Sequence, residues 1–176
     1  DYNAAMDIVL ADLEIKGETK KVLMQAPKNG FLYVIDRQTG KLIGADKFSK
    51  SNWASKIDLE TGRPVMGEAA DYQKRPKHLW PGPIGAHNWQ AMAYSPKQKL
   101  VFIPEMQHGA TYIKSEMPNL RENFLNLSII TTYDQIDPND GTGSIVAMDP
   151  VTLKPKWKVQ HDSFWNGGIL ATEGAI

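Results

Sequence analysis

Short apolar runs rich in β-branched and aromatic residues recur along the chain, each closed by a small polar turn. Gly30-Phe-Leu-Tyr-Val-Ile-Asp36-Arg-Gln-Thr39-Gly40-Lys41 sets the pattern, a strand-like run ended by Asp-x-x-Thr-Gly. Lys56-Ile-Asp58-Leu-Glu-Thr61-Gly62-Arg63 carries the same turn. Ser144 to Trp157 repeats the unit with Asp149-Pro-Val-Thr152-Leu, and Ala93 to Ile103 opens its turn with Ser95-Pro96. Such residues fit a pleated, half-buried surface. In the turn, Asp accepts hydrogen bonds from backbone further on, Thr assists, and Gly supplies the positive φ that returns the chain. The unit is therefore a hairpin.

One hairpin cannot bury both its faces, but four-stranded units stacked radially become propeller blades of about 40 to 45 residues. On that arithmetic 176 residues make about four blades. The expected class is all-β, a partial β-propeller over 1–176 with no internal boundary. Helix is expected only between residues 116 and 127, where Leu120, Phe124 and Leu127 approach helical spacing behind Pro118. Two stretches predict loops. Residues 76–83, with three prolines and Trp80, suggest an extended loop over a surface. Residues from Pro104 to about Thr142, ending Asp137-Pro-Asn-Asp-Gly-Thr-Gly, suggest a long functional or inserted loop.

Composition then removes several function classes. With 41% hydrophobic and 23% charged residues the chain should bury a core. Twenty basic residues cancel twenty acidic ones, and no Lys/Arg run exceeds a pair, which argues against a general nucleic-acid binder. No apolar stretch approaches the roughly 18 to 20 residues of a membrane helix. With no Cys, disulfides, Cys-based zinc sites, thiol nucleophiles and c-type haem attachment are excluded within this span. No Gly-x-Gly-x-x-Gly fingerprint of NAD binding occurs. The chain starts at Asp1-Tyr2-Asn3 without Met and is still apolar at 170–176, so a piece of a longer protein is expected.

Five stretches carry a family resemblance: Asp1-Tyr2, Gln25-Ala-Pro-Lys28-Asn-Gly-Phe-Leu-Tyr-Val-Ile-Asp36, Asn52-Trp53-Ala-Ser, Gly85-Ala-His87-Asn88-Trp89-Gln-Ala-Met-Ala-Tyr-Ser-Pro, and Gly143 to Gly174 with Phe164-Trp165-Asn166-Gly167-Gly168. In order and spacing they resemble the quinoprotein alcohol dehydrogenases that use pyrroloquinoline quinone (PQQ). Met148 departs from the family's tryptophan-docking repeat, which usually has Trp there, and Glu173 stands where a small residue is commoner. The resemblance implies an eight-bladed parent propeller of which this is the middle, a calcium ion on the quinone, and periplasmic location. The vicinal cysteines and most calcium ligands would lie upstream.

The same resemblance assigns roles. Asp1, otherwise a solvated end, matches the catalytic aspartate: a base for the alcohol proton and a calcium ligand, the metal polarising the quinone carbonyl. Asn3 stands where lanthanide-using relatives place an extra Asp, which favours calcium. Lys28, otherwise a surface lysine, matches a cation that reaches the quinone oxygens and stabilises the developing anion. Asn88 would donate to a cofactor oxygen, with Trp89 giving a flat apolar surface beside it. Trp165 lines the cavity or docks against a neighbouring blade; Trp53 and Trp157 dock between blades, where burial alone explains them. His87 is assigned no metal.

The expected function is oxidation of a small alcohol to an aldehyde by hydride transfer to PQQ, with electrons passed to a cytochrome c or another non-NAD acceptor. The Ala-Pro-Lys28-Asn-Gly-Phe context looks more like the quinohaemoprotein members, which implies a haem c domain downstream. The rival reading is a non-catalytic β-propeller scaffold. It needs the repeats but not Asp1, Lys28 and Asn88 together. Alone, the chain is expected to be inactive.

Overall fold

Each apolar run found in the sequence forms a strand, and each Asp-led turn reverses the chain. The computed structural model describes residues 2–115 and 129–173. Strands β1 (Val9–Ile15), β2 (Glu18–Gln25), β3 (Phe31–Asp36) and β4 (Leu42–Lys47) form one antiparallel sheet in chain order. Next come a hairpin of β5 (Ala54–Ile57) and β6 (Pro64–Met66), a 3-10 turn at Glu68–Ala70, and β7 (Lys77–Leu79). Then follow β8 (Ala93–Ser95), β9 (Leu100–Gln107), β10 (Ala110–Lys114), β11 (Ile129–Thr132), β12 (Thr142–Asp149) and β13 (Lys154–His161). A second four-stranded sheet has the order β13-β12-β9-β8, and a three-stranded one the order β11-β10-β7. The described strands thus fall into four sheets of unequal size, two of them full four-stranded blades. The helix expected between 116 and 127 lies outside the described residues.

The turns follow one chemical rule. Asp36 Oδ1 accepts the N–H groups of Gln38 (2.8 Å) and Thr39 (3.1 Å), and Gly40 closes the turn at φ 74°. Asp58 does the same for Glu60 and Thr61. Asp149 does it for Val151 and Thr152, but there Leu153 takes the left-handed position at φ 56°. A non-glycine residue bears a backbone cost of about 1–2 kcal/mol there. Leu153 offsets it by packing against the main core, where a Cβ on Gly44 would come within 2.6 Å of its Cδ1.

Alternation sorts side chains to the two faces of each sheet. Leu13, Val22, Met24, Leu32 and Val34 of the first blade meet Val101, Ile103, Val146 and Met148 of the second in one core. Met148, at the repeat's usual Trp position, is fully buried in it. The opposite face of the first blade packs Phe31 against Ala54 and Ile57 of the β5–β6 hairpin. Trp53 belongs both to that cluster and to the one around Leu79, Ala110 and Tyr112. It docks as expected, its Nε1–H donating to Asn29 O at 2.8 Å. Trp157 does less: it stacks on Phe102 with centroids 5.6 Å apart and stays 38% exposed on the outer strand.

Both loop expectations need correction. Residues 77–79 form β7, paired with β10, and Leu79, Pro81 and Gly82 are buried, so this stretch threads inward. Pro104 begins no loop; it sits inside β9 opposite Ile145. Proline breaks a strand only where its missing N–H is needed. Met106, in phase with it, sends its N–H away from β12 to Ala86 O at 2.7 Å. At Pro104 the short β8, which pairs only as far as Phe102, has already ended.

Candidate active site

The turn between β2 and β3 presents Lys28. Asn29 fixes it with its whole amide: Oδ1 accepts Phe31 N–H at 3.0 Å and Nδ2 donates to the Tyr33 hydroxyl at 2.8 Å. The half-buried Lys28 is held by its backbone, whose carbonyl accepts Ala86 N–H at 2.9 Å. Among the described residues its ammonium has no hydrogen bond or ion pair. Gly85 lies directly on it, at φ 93°. A Cβ there would fall 2.4 Å from Lys28 Cγ and 2.8 Å from its Cα, so only glycine permits this approach.

The same segment carries the other predicted contacts. Asn88 Nδ2 donates one hydrogen to Ile84 O at 3.0 Å, which orients the amide and leaves its second N–H uncommitted. Trp89 is 69% exposed, a bare aromatic face beside it. A third segment runs alongside: Ile169 N–H donates to Ala91 O at 2.8 Å, and Gly168 lies against Ala91. Asn166 anchors it through Nδ2 to Glu105 O at 2.7 Å, leaving Trp165 half-exposed and stacked on Phe164, centroids 5.0 Å apart. Lys28, Asn88, Trp89 and Trp165 thus stand on three segments stitched together by backbone bonds.

Asp1 lies outside the described residues, but the stretch after it is well tied. Gln25 Nε2 donates to Ala4 O and Met6 O at 2.9 and 3.0 Å, and the Tyr2 hydroxyl donates to Pro81 O at 2.5 Å. Burial pushes the Tyr2 phenol well above its ordinary value, so it stays a donor throughout the neutral range. Asn3 is exposed. Among the described residues no group of three or more His, Asp or Glu side chains is placed to hold a metal.

No family model matches the chain. Quinohemoprotein alcohol dehydrogenase ADH IIB of Pseudomonas putida is 44% identical over 178 residues, covering 100% of this chain and 26% of that protein. The lupanine 17-hydroxylase [cytochrome c] of a Pseudomonas species is 39% identical over 183 residues, again 100% of this chain and 25% of its own length. The crystal structure of quinohemoprotein alcohol dehydrogenase from Comamonas testosteroni superimposes with a TM-score of 0.90 at 36% identity, covering 99% of this chain and 27% of that one. Over its whole length the chain is similar to a part of the quinoprotein alcohol dehydrogenases. Its fold is accordingly a partial β-propeller in which, among the described residues, no sheet closes on itself. It spans about a quarter of the length of the curated relatives it matches.

Two supports around this candidate site carry no local sequence signal. Asp140, noticed only as part of a loop, is buried and accepts Trp80 Nε1–H at 2.7 Å together with the N–H groups of Ile136 and Asp137. Lys50 lies 3.8 Å above the Trp80 ring and pairs with Asp137, which fixes the neighbouring Pro81 that receives Tyr2. Glu105, fully buried on β9, accepts the Ser49 hydroxyl at 2.7 Å. The Lys158 ammonium sits 2.9 Å from its other oxygen, close in charge but poorly aligned as a hydrogen bond. The partners are 60 residues apart for Trp80 and Asp140 and 56 for Ser49 and Glu105, beyond any local spacing rule.

Proposed function

We propose that this chain forms one wall of the cofactor site of a PQQ- and calcium-dependent alcohol dehydrogenase, in which Asp1 is the general base. The observation that carries the reading is the junction of the Lys28 turn with the Gly85–Trp89 segment, on a chain whose relatives are described as quinohemoprotein alcohol dehydrogenases. The donor set fits PQQ, a planar, polyanionic aromatic quinone: a cation with no counter-charge among the described residues, an oriented amide with a spare N–H, and two exposed indoles. When bound, the quinone would supply the acceptor for the hydride, and with it the two electrons, of the carbinol carbon.

The protein's own part is positional and electrostatic. The Asp1 carboxylate takes the hydroxyl proton of the alcohol, so that the carbinol hydrogen leaves as hydride and an aldehyde remains. Lys28 holds positive charge where negative charge develops on the quinone oxygens. Asn88 donates to a cofactor oxygen, and Trp89 and Trp165 offer flat surfaces that exclude water. Asp1 also supplies one calcium ligand. Asn3 supports calcium, because a neutral amide adds no anionic oxygen for a trivalent ion. Electrons leave to a cytochrome c or another non-NAD acceptor, and the enzyme works in the periplasm, as the family resemblance implies.

The test uses the full-length protein that carries this chain, reconstituted with PQQ and Ca2+ and assayed by dye reduction with primary alcohols. Alcohol-dependent reduction that needs both additions is expected. Asp1→Ala should abolish turnover while PQQ still binds, and Lys28→Ala should lower kcat by roughly 10²- to 10³-fold, the usual loss of one such electrostatic contact. Turnover independent of PQQ, or an Asp1→Ala protein as active as the parent, would sink the assignment.

A further inference from the structure

His87 is completely buried, and both its ring nitrogens face backbone carbonyls: Nδ1 lies 2.5 Å from Ala26 O and Nε2 2.6 Å from Gln90 O. A carbonyl oxygen only accepts, so each nitrogen has to donate. A neutral imidazole has one N–H and would press its remaining lone pair against a carbonyl lone pair. Only the imidazolium satisfies both contacts. A buried cation is costly unless fully hydrogen-bonded, and here both of its donors are used.

The location of the two acceptors gives the arrangement its meaning. Ala26 lies two residues before Lys28, at the exit of β2. Gln90 lies directly after Asn88 and Trp89, which form the short arc between His87 and its own acceptor. The Ala86 N–H bond to Lys28 O at 2.9 Å closes the same junction, and Met106 N–H anchors Ala86 O from β9. The charged side chains borne by the joined segments are Lys28, Glu105 of β9 and Asp7, whose Oδ2 accepts Met92 N–H at 3.1 Å.

We propose that His87, as a doubly donating imidazolium, is a positioning residue that clamps the Lys28 turn to the Asn88–Trp89 segment and so sets the geometry of the cofactor wall. It touches no reacting atom. The inference rests on the preceding assignment of those side chains to PQQ, but the clamp itself is testable without the cofactor.

Three measurements on the full-length protein decide it. With ¹⁵N-histidine labelling at pH 7, the signals lost in His87→Gln should show two protonated ring nitrogens in the parent; one unprotonated nitrogen overturns the clamp. In His87→Gln, whose amide can donate at one end only, and in His87→Phe, which donates at neither, amide hydrogen exchange should rise in segments 26–30 and 84–91. Unchanged exchange there overturns the clamp. PQQ affinity, read by tryptophan quenching, should fall roughly ten- to a hundredfold, as for outer partners of a bound group; equal affinity in folded variants removes the positioning role. Should the parent itself bind no PQQ, the cofactor assignment fails, while nitrogen protonation and exchange still judge the clamp. Should both variants fail to fold, the parent spectrum still decides: a buried imidazolium gives a solvent-protected ring with two protonated nitrogens, and the absence of any such ring overturns the clamp.

Discussion

At the residue scale, two single side chains illustrate how differently one contact can be broken. Glu105 is fully buried and Lys158 is 39% exposed, although they form one ion pair at 2.9 Å. Removing the lysine strands a charge in the core, whereas removing the glutamate leaves a lysine that can turn to water. Lys158→Met should therefore cost about 3–5 kcal/mol, and Glu105→Gln, which can keep an oxygen for Ser49, clearly less. Urea midpoints of the two variants measure the asymmetry, and equal midpoints would contradict it. Gly85→Ala is the sharper case. It meets a backbone cost on the order of 1–3 kcal/mol at φ 93°, and its methyl group would lie 2.8 Å from Lys28 Cα. The backbone of the Lys28 turn must move, so PQQ affinity should fall even where circular dichroism is unchanged.

At the element scale, the hairpin turn is the repeated device, and its chemistry is acid-sensitive. Asp36 is held below the ordinary carboxylate range chiefly by the Gln38 and Thr39 N–H groups, and Asp58 by Thr61 through its N–H and hydroxyl. Burial pushes Asp149 up, but the N–H groups of Thr152 and Val151 outweigh it and the net shift is again downward. A carboxylate depressed in the folded state stabilises the protein above its unfolded pKa, about 3.9, and that stability is lost as pH falls through the folded value. Stability should be flat near neutrality and decline below about pH 4. Asp36→Asn and Asp58→Asn together keep the accepting oxygen but remove the titration. Urea midpoints of the double variant should fall less between pH 6 and pH 3 than those of the parent (about two units above and one unit below the unfolded carboxylate value). An identical decline would show that these turns do not set the acid limb.

At the scale of the whole molecule, the blades end in open edges. Leu10 on β1 is 60% exposed and Val159 on β13 59%, each on the outermost strand of its sheet. Unpaired edge strands recruit other strands, and although β1 carries Asp12 and Glu14 and β13 carries Lys154, Lys156 and Lys158, these apolar side chains stand exposed between the charges. Expressed by themselves, these 176 residues should associate in a concentration-dependent way by light scattering and show no PQQ-dependent turnover. Leu10→Lys with Val159→Lys should suppress the association, since charge on an edge blocks pairing. A monodisperse, monomeric parent segment would refute this.

What the sequence determined by itself was local. Strand-forming runs such as 31–36 and turns such as Asp36-Arg-Gln-Thr39-Gly40 are specified by propensities that act over a few residues, and they appear in the structure at their expected places. The motif around Gly85-Ala-His87-Asn88-Trp89 stood out in the sequence only through its family resemblance; the nearby Lys28 backbone that requires the glycine belongs to the tertiary structure. Tertiary structure decided the rest. Pro104 reads as a loop signal until the early end of β8 makes its missing N–H harmless. His87 reads as an unremarkable histidine until Ala26, 61 residues away, supplies its second acceptor. Asp140 reads as a turn residue until Trp80 donates to it. Each depends on which carbonyl or indole another sheet delivers, and packing between sheets, which no local spacing encodes, alone makes that choice.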